Sequence, residues 1–344
     1  MHLPSIPWIR QRTVGLLSLV IVCLLTACGG ASPAAQSGAS SPEAAAPSGA
    51  NAPAEIAPSN TEEPAAPAPR IVTDEMGHEV ELPAEPSRIF APYMEDSLLS
   101  LGMKPVAQWA TGASGQAYLQ EWLHDVPTVD FTGGLPPAPE AVMSFDPDLI
   151  ILHNVHYANN GVYEAYSKIA PVYVFENAAG DLKQSIRKLG ELLDKQDEAE
   201  AALQAYEQKK EDARAKLAPV VTGKNAALIN FNHKGFYMIG GNYFGGYVLA
   251  QELGIGKSPL VSEGNSFDIS LEALPDLDAD FIFTINYGGT GTANMAALMD
   301  NGIWRSLPAV KNDQVYEVSD AYWTGSGLIA YGKIIDDVVE LLVP

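Results

Sequence analysis

The side chains of this 344-residue chain best suited to holding a metal are His153 and His156, three residues apart, His233 farther on, and Met94. Imidazole and thioether donors suit haem iron or a bare transition ion. A larger set of rings and amides accompanies them: Tyr93, Trp109, Tyr157, Asn230, Tyr237, Tyr243, Asn286, Tyr287, Tyr322 and Trp323. Such groups pack on an organic shell and bond its oxygens without adding charge. Lys234 is the one cation close to them in sequence, with Arg88, Lys257 and Arg305 more distant. An anionic ligand would therefore be buried without counter-charge, which is costly, and a neutral or cationic one suits the set better. Histidines in polar loops more often make plain hydrogen bonds, so metal ligation by His153, His156 and His233, with Glu95 or Asp96, is the secondary reading.

Covalent catalysis has little to stand on. Cys23 and Cys28 are the only cysteines and lie together near the N-terminus, leaving no disulfide framework, Cys-based zinc site or thiol nucleophile for the body of the chain. There is no Gly-x-Ser-x-Gly elbow, and Gly112-Ala113-Ser114-Gly115 has the wrong spacing. No HExxH is present, and Gly288-Gly289-Thr290-Gly291 lacks the lysine of a phosphate loop. Twenty basic against 42 acidic residues give a net charge of −22, which excludes a nucleic-acid binder relying on clustered Lys and Arg.

The chemistry-bearing residues follow short apolar runs at 88–91, 149–152 and 172–175, then 227–231, 281–285 and 315–318, which alternate with helical stretches. Continuously apolar strands separated by helices predict mainly parallel sheets covered on both faces, with ligand loops beyond their carboxyl ends. Residues 140–154 align with 272–286 at a constant offset of 132, each reading helix, turn, buried strand, polar loop. Two similar α/β lobes, each built on one sheet, are expected over 70–180 and 218–344, the first opening on a small hairpin within 71–82. Between them, 181–217 is the most helical stretch, breaking near 194–197 and leaving 198–217 as one helix of about 30 Å. A single stiff rod of this kind allows only modest lobe closure.

Residues 1–27 carry two arginines, no acidic residue and an apolar run too short to span a bilayer comfortably, which reads as a secretory leader. Leu25-Thr26-Ala27-Cys28-Gly29 resembles a bacterial lipobox, implying lipidation of Cys28 and anchoring on the extracytoplasmic face of the cell membrane. The segment 28–69 is rich in Ala, Pro and Ser, with Ile56 its only larger aliphatic residue, so it cannot bury enough apolar surface to order and is expected to be a tether. Its average reach is roughly 35 Å.

The order of these motifs, together with Leu101-Gly102, Phe236-Tyr237-Met238-Ile239-Gly240 and Gly245-Gly246, resembles the substrate-binding lipoproteins of bacterial iron-siderophore, haem and cobalamin importers. The resemblance covers nearly the whole body of the chain. It implies the class III periplasmic-binding-protein fold: two Rossmann-like lobes bridged by one long α-helix, with the ligand between them. It also implies no cofactor, delivery to an ATP-binding-cassette permease dimer with its ATPase, and action as a monomer rather than as an enzyme. Carried onto this sequence, the family's permease-docking glutamates fall on Glu140 and Glu272, which are equivalent positions of the repeat. With the charge argument above, the expected ligand is a ferric siderophore, hydroxamate-like rather than catecholate or citrate. Haem or cobalamin is the alternative within the family, and a metal chelatase, which shares the two-lobed architecture, the alternative outside it.

Overall fold

In the computed structural model, which describes residues 69–344 except 112, 113, 132, 262 and 263, the chain opens on an antiparallel hairpin of β1 (Arg70–Thr73) and β2 (Glu79–Leu82). The expected leader, Cys28 and the tether through residue 68 lie outside the described residues. Asp74 closes the hairpin turn by accepting from the backbone N–H of Met76 and His78, and the His78 ring stacks on Tyr163 at 3.9 Å. Among the described residues no helix is long and apolar enough to cross a membrane.

The first lobe holds β3 (Ile89–Phe90), β4 (Gln108–Thr111), β5 (Ser114–Gly115), β6 (Thr128–Asp130), β7 (Leu149–Leu152) and β8 (Val172–Val174). They form two three-stranded sheets, an all-parallel β3-β7-β8 and a mixed β5-β4-β6, where a single sheet was expected. All four residues of β7 are buried, as a central parallel strand covered on both faces requires. The second lobe contributes β9 (Asn225–Asn232), β10 (Gly235–Ile239), β11 (Gly256–Lys257), β12 (Ser266–Asp268), β13 (Phe281–Asn286) and β14 (Val315–Val318). Their order is β12-β10-β9-β13-β14, with β11 also pairing β9. The centre, β9-β13-β14, is parallel, while β10 folds back antiparallel on β9.

The internal repeat is physical. In the first copy a short helix, Pro139–Met143, leads through Asp146 at φ 46° into β7; in the second, a 3₁₀ turn, Leu271–Asp276, leads through Asp278 at φ 39° into β13. Left-handed backbone at an aspartate is uncommon, and it falls on equivalent residues of both copies. The next equivalent pair does the same work twice. Asp148 Oδ2 accepts from the Ser87 N–H at the mouth of β3, and Asp280 Oδ2 from the Asn225 N–H opening β9, both at 2.9 Å. Each carboxylate thereby sets the register between its strand and the parallel neighbour.

Helix Leu182–Leu193, capped by Asp181, ends at Asp194 in the left-handed region, and the next helix runs over Gln196–Val221. Its 26 residues extend it beyond the expected 198–217, to about 39 Å at 1.5 Å per residue. Ala199, Leu203, Tyr206, Lys210, Ala213, Leu217 and Val221 are buried at spacings of three and four, one face of a 3.6-residue period. The C-terminal helix, Leu328–Leu342, packs along it, with Lys209 reaching the Gly332 carbonyl at 3.2 Å and the Asp336 carboxylate.

Candidate functional site

A cavity of about 920 Å³ lies between loops of the two lobes, within the range of small-molecule sites. From the first lobe, Tyr93, Met94, Trp109, His153 and Tyr157 line it, and from the second, Asn230, Tyr237, Tyr243 and Tyr287. These nine residues are among the fourteen ligand-binding candidates of the sequence. The placement follows from topology: the loops after β3, β7, β13 and β14 all leave the carboxyl ends of parallel strands.

Tyr93 organises the first-lobe wall. Its backbone sits at φ 68°, a rare conformation for an aromatic residue, and it turns the chain as it leaves β3. Its ring meets Trp109 at 4.9 Å, Phe131 at 5.3 Å, His153 at 4.6 Å and Tyr157 at 5.6 Å. Each such pair adds roughly 0.5–1.5 kcal/mol beyond its burial, so the wall is stiff. Burial pushes the Tyr93, Tyr237 and Tyr243 phenols upward, so they stay protonated at neutral pH. It pushes His153 down to about 4 against the opposing pull of the Pro92 carbonyl, so that imidazole is uncharged. Asn230 is 1% exposed, and its Oδ1 finds no hydrogen-bond partner among the described residues.

Two adjacent carboxyl groups, each 1% exposed, underlie the cleft at the start of helix Glu95–Ser100. Glu95 accepts from the Trp109 N–H at 2.6 Å and from Gln116 Nε2 at 3.3 Å, and both partners line the cavity. Burial pushes its carboxyl up to about 7, against the pull of the Trp109 N–H and other backbone donors. Asp96 faces the other way. Its carboxylate accepts from Tyr118 Oη at 3.0 Å and from the backbone N–H of Ile329 and Ala330 at 3.0 and 2.9 Å, capping the C-terminal helix from 233 residues away. Burial raises its carboxyl to about 6, offset by those same donors. Gly327, at φ 146°, leaves the necessary room: a Cβ there would lie 2.0 Å from Asp96 Cγ.

The remaining five candidates lie outside the lining. His156 and His233 are exposed, the first in a short 3₁₀ turn and the second in the β9–β10 turn, and neither lines the cavity. Among the described residues no cluster of three or more His, Cys, Asp or Glu side chains is placed to hold a metal ion, so the three histidines do not form a metal centre. Asn286 is spent on its own loop, bonding the Gly291 N–H and Thr292 Oγ1. Tyr322 and Trp323 both donate to Asp337 of the C-terminal helix, and Trp323 is fully buried against Phe283 at 5.1 Å. The helix phase that turns these two inward presents Asp320, Ala321 and Thr324 to the cavity instead.

Sequence reasoning missed Thr111, Gln116, Phe244, Ser266, Asp320 and Ser326, all of which line the cavity. Phe244, at φ 48° and packed on Tyr243 at 3.6 Å, lies next to a residue that was identified, and Asp320 lies just before two others. Arg88 bonds the Phe145 and Asp146 carbonyls and Arg305 bonds Asp300, while Lys257 lies against Gly241; none of the three lines the cavity. Glu140 and Glu272 are both exposed in the first turns of their short helices.

A family model described as periplasmic binding protein matches residues 102–322. The probable siderophore-binding lipoprotein YfiY of Bacillus subtilis strain 168 is 29% identical over 290 residues, covering 78% of this chain and 86% of that protein. The iron(3+)-hydroxamate-binding protein YxeB of the same organism is 27% identical over 278 residues, covering 77% and 82% respectively. Among solved structures, Staphylococcus aureus SirA complexed with staphyloferrin B superimposes with a TM-score of 0.66 at 25% identity, over 79% of this chain and 98% of that one.

Proposed function

The chain belongs to the periplasmic binding protein family, with two α/β lobes bridged by a single long helix, and on that footing we propose that it is the substrate-binding lipoprotein of an ATP-binding-cassette importer for ferric siderophores. The observation that carries the reading is the interlobe cavity of about 920 Å³, walled by aromatic rings and amides with no Lys or Arg among its described lining residues. It is large enough for a wrapped iron chelate and offers faces for its organic shell. The cleft phenols stay protonated and so offer iron no phenolate, which suits a cargo that keeps its own coordination sphere. No bond is made or broken in this role; binding and delivery are the whole of it.

Relatives bearing siderophore, iron-hydroxamate and lipoprotein names support both the ligand class and an anchor through Cys28 on the extracytoplasmic face. Glu140 and Glu272 would dock the permease, one from each lobe. The exposed Met143, one turn on from Glu140, adds apolar contact area on that tip. Two carboxylates related by the repeat suit a pair of basic pockets on a twofold partner.

Titration of the purified protein with ferric trihydroxamates, following quenching of the fluorescence of Trp109 and the cleft tyrosines, tests the ligand class. Saturable one-to-one quenching by the ferric complex, much weaker with the iron-free chelator, is expected. Binding of haem or cobalamin with no response to any ferric siderophore would overturn it.

A further inference from the structure

We propose that the cleft sorts ferric chelates by charge, and that Asp320 is the residue favouring a chelate with a pendant cation over neutral and anionic ones. The inference rests on the ferric-siderophore reading above and goes beyond it to a rule of selection. Asp320 opens the short helix Asp320–Trp323 that follows β14, and its Oδ2 accepts from the Gly288 N–H at 2.7 Å in the loop after β13. It thus ties together two loops at the carboxyl ends of adjacent parallel strands, and both Asp320 and Gly288 line the cavity.

Around it the wall offers acceptors and no opposing charge. The described lining residues include this carboxylate and no Lys or Arg. His153, its carboxyl-free counterpart across the cleft, is neutral at the working pH of an exported protein. Asn230 Oδ1 is a buried acceptor in the same wall with no partner among the described residues. Tyr287, half exposed beside Gly288, adds a ring face on which an ammonium can rest. An ammonium entering here meets the Asp320 carboxylate with the Tyr287 ring in the adjoining loop, and Asn230 Oδ1 is a further acceptor elsewhere on the same lining. A trianionic chelate meets the same carboxylate with nothing to neutralise it, and an uncompensated buried charge is disfavoured.

The test compares three ferric probes on the full-length protein and on Asp320→Asn, which keeps an acceptor for the Gly288 N–H while removing the charge. The probes are a linear trihydroxamate ending in one ammonium, a neutral cyclic trihydroxamate, and a tris-catecholate with three negative charges. Wild type should bind them in that order, the first at least about tenfold tighter than the second, with the gap narrowing as salt is raised. Asp320→Asn should lose about tenfold in affinity for the ammonium-bearing probe and less than about twofold for the neutral one. Equal losses for both trihydroxamates would reduce Asp320 to a loop tie and overturn the proposal, as would wild-type binding of the catecholate as tight as that of the cationic probe. Binding without charge order defeats the selection rule and leaves the receptor reading standing, whereas failure of every ferric probe to bind defeats both.

Discussion

Glu95→Gln should make the protein more stable at pH 8 and leave it nearly unchanged at pH 4. In the fold this carboxyl is 1% exposed and raised from 4.5 to about 7, chiefly by burial. Between those two values the native state holds a proton that the unfolded chain has released. The slope of stability with pH is set by protons bound in the unfolded state minus those bound in the native state, here negative. The contribution is therefore fully present below pH 4.5 and is lost as pH rises through about 7. At about 1.4 kcal/mol per pH unit, the full effect is about 3–4 kcal/mol. Glutamine keeps an oxygen for the Trp109 N–H, and rotation of the Gln116 amide can meet its new NH₂, so the substitution removes titration at little structural cost. For a domain of this size the stabilisation at pH 8 corresponds to a rise in Tm of roughly 5–10 °C. Thermal melts of both proteins at pH 4, 6 and 8 read the difference directly. Parallel pH dependence in the two, or a less stable variant at pH 8, would refute the reasoning.

Asp96→Ala should destabilise by about 2–4 kcal/mol, because it strips a helix cap and strands the Tyr118 hydroxyl and two buried N–H groups; faster amide exchange beginning at Ile329 and Ala330 would locate the damage. Gly245→Ala should cost about 1–3 kcal/mol in denaturant titration, since its Cβ would lie 2.6 Å from the fully buried Trp323 ring. Glu140→Ala combined with Glu272→Ala should abolish siderophore uptake in cells at unchanged ligand affinity, and normal uptake would remove both residues from permease docking.

What the sequence revealed followed from burial. Strands β7, β9 and β13 stood out because parallel strands covered on both faces must be continuously apolar, and the repeat that contains two of them set their equivalence. Strands β4 and β6 did not, because they are short and carry Gln108, Thr128 and Asp130. Gln108 is buried only because its amide reaches the Leu123 and Val126 carbonyls, a tertiary arrangement with no local signature. The site divided on the same line. Rings in loops after apolar strands converge on the cavity, whereas Tyr322 and Trp323 turn to Asp337, a partner fourteen or fifteen residues away that composition cannot single out. Asp96 was visible as a loop carboxylate, but its role depends on N–H groups more than two hundred residues away.

That last contact bears on how the lobes can move. Helix Glu95–Ser100 follows β3 of the first lobe, and the helix whose N-terminus it caps closes the second, so Asp96 ties the lobes together beneath the cleft. The C-terminal helix is itself docked on the 26-residue rod through Lys209 and Asp336. Wide opening would break the Asp96 hydrogen bonds in a buried setting, at about 1.5–3 kcal/mol for each bond to a charged group. Small rearrangements are cheaper in the mouth loops, where Gly288 and Gly289 already sit at positive φ beside Tyr287. In the proposed receptor role such a cleft would start near its bound shape, with affinity coming from preorganisation rather than from hinge closure. On the proposed function, cargo release then requires an agent that strains both lobes at once, and a permease gripping Glu140 on one lobe and Glu272 on the other would apply that strain across the Asp96 tie.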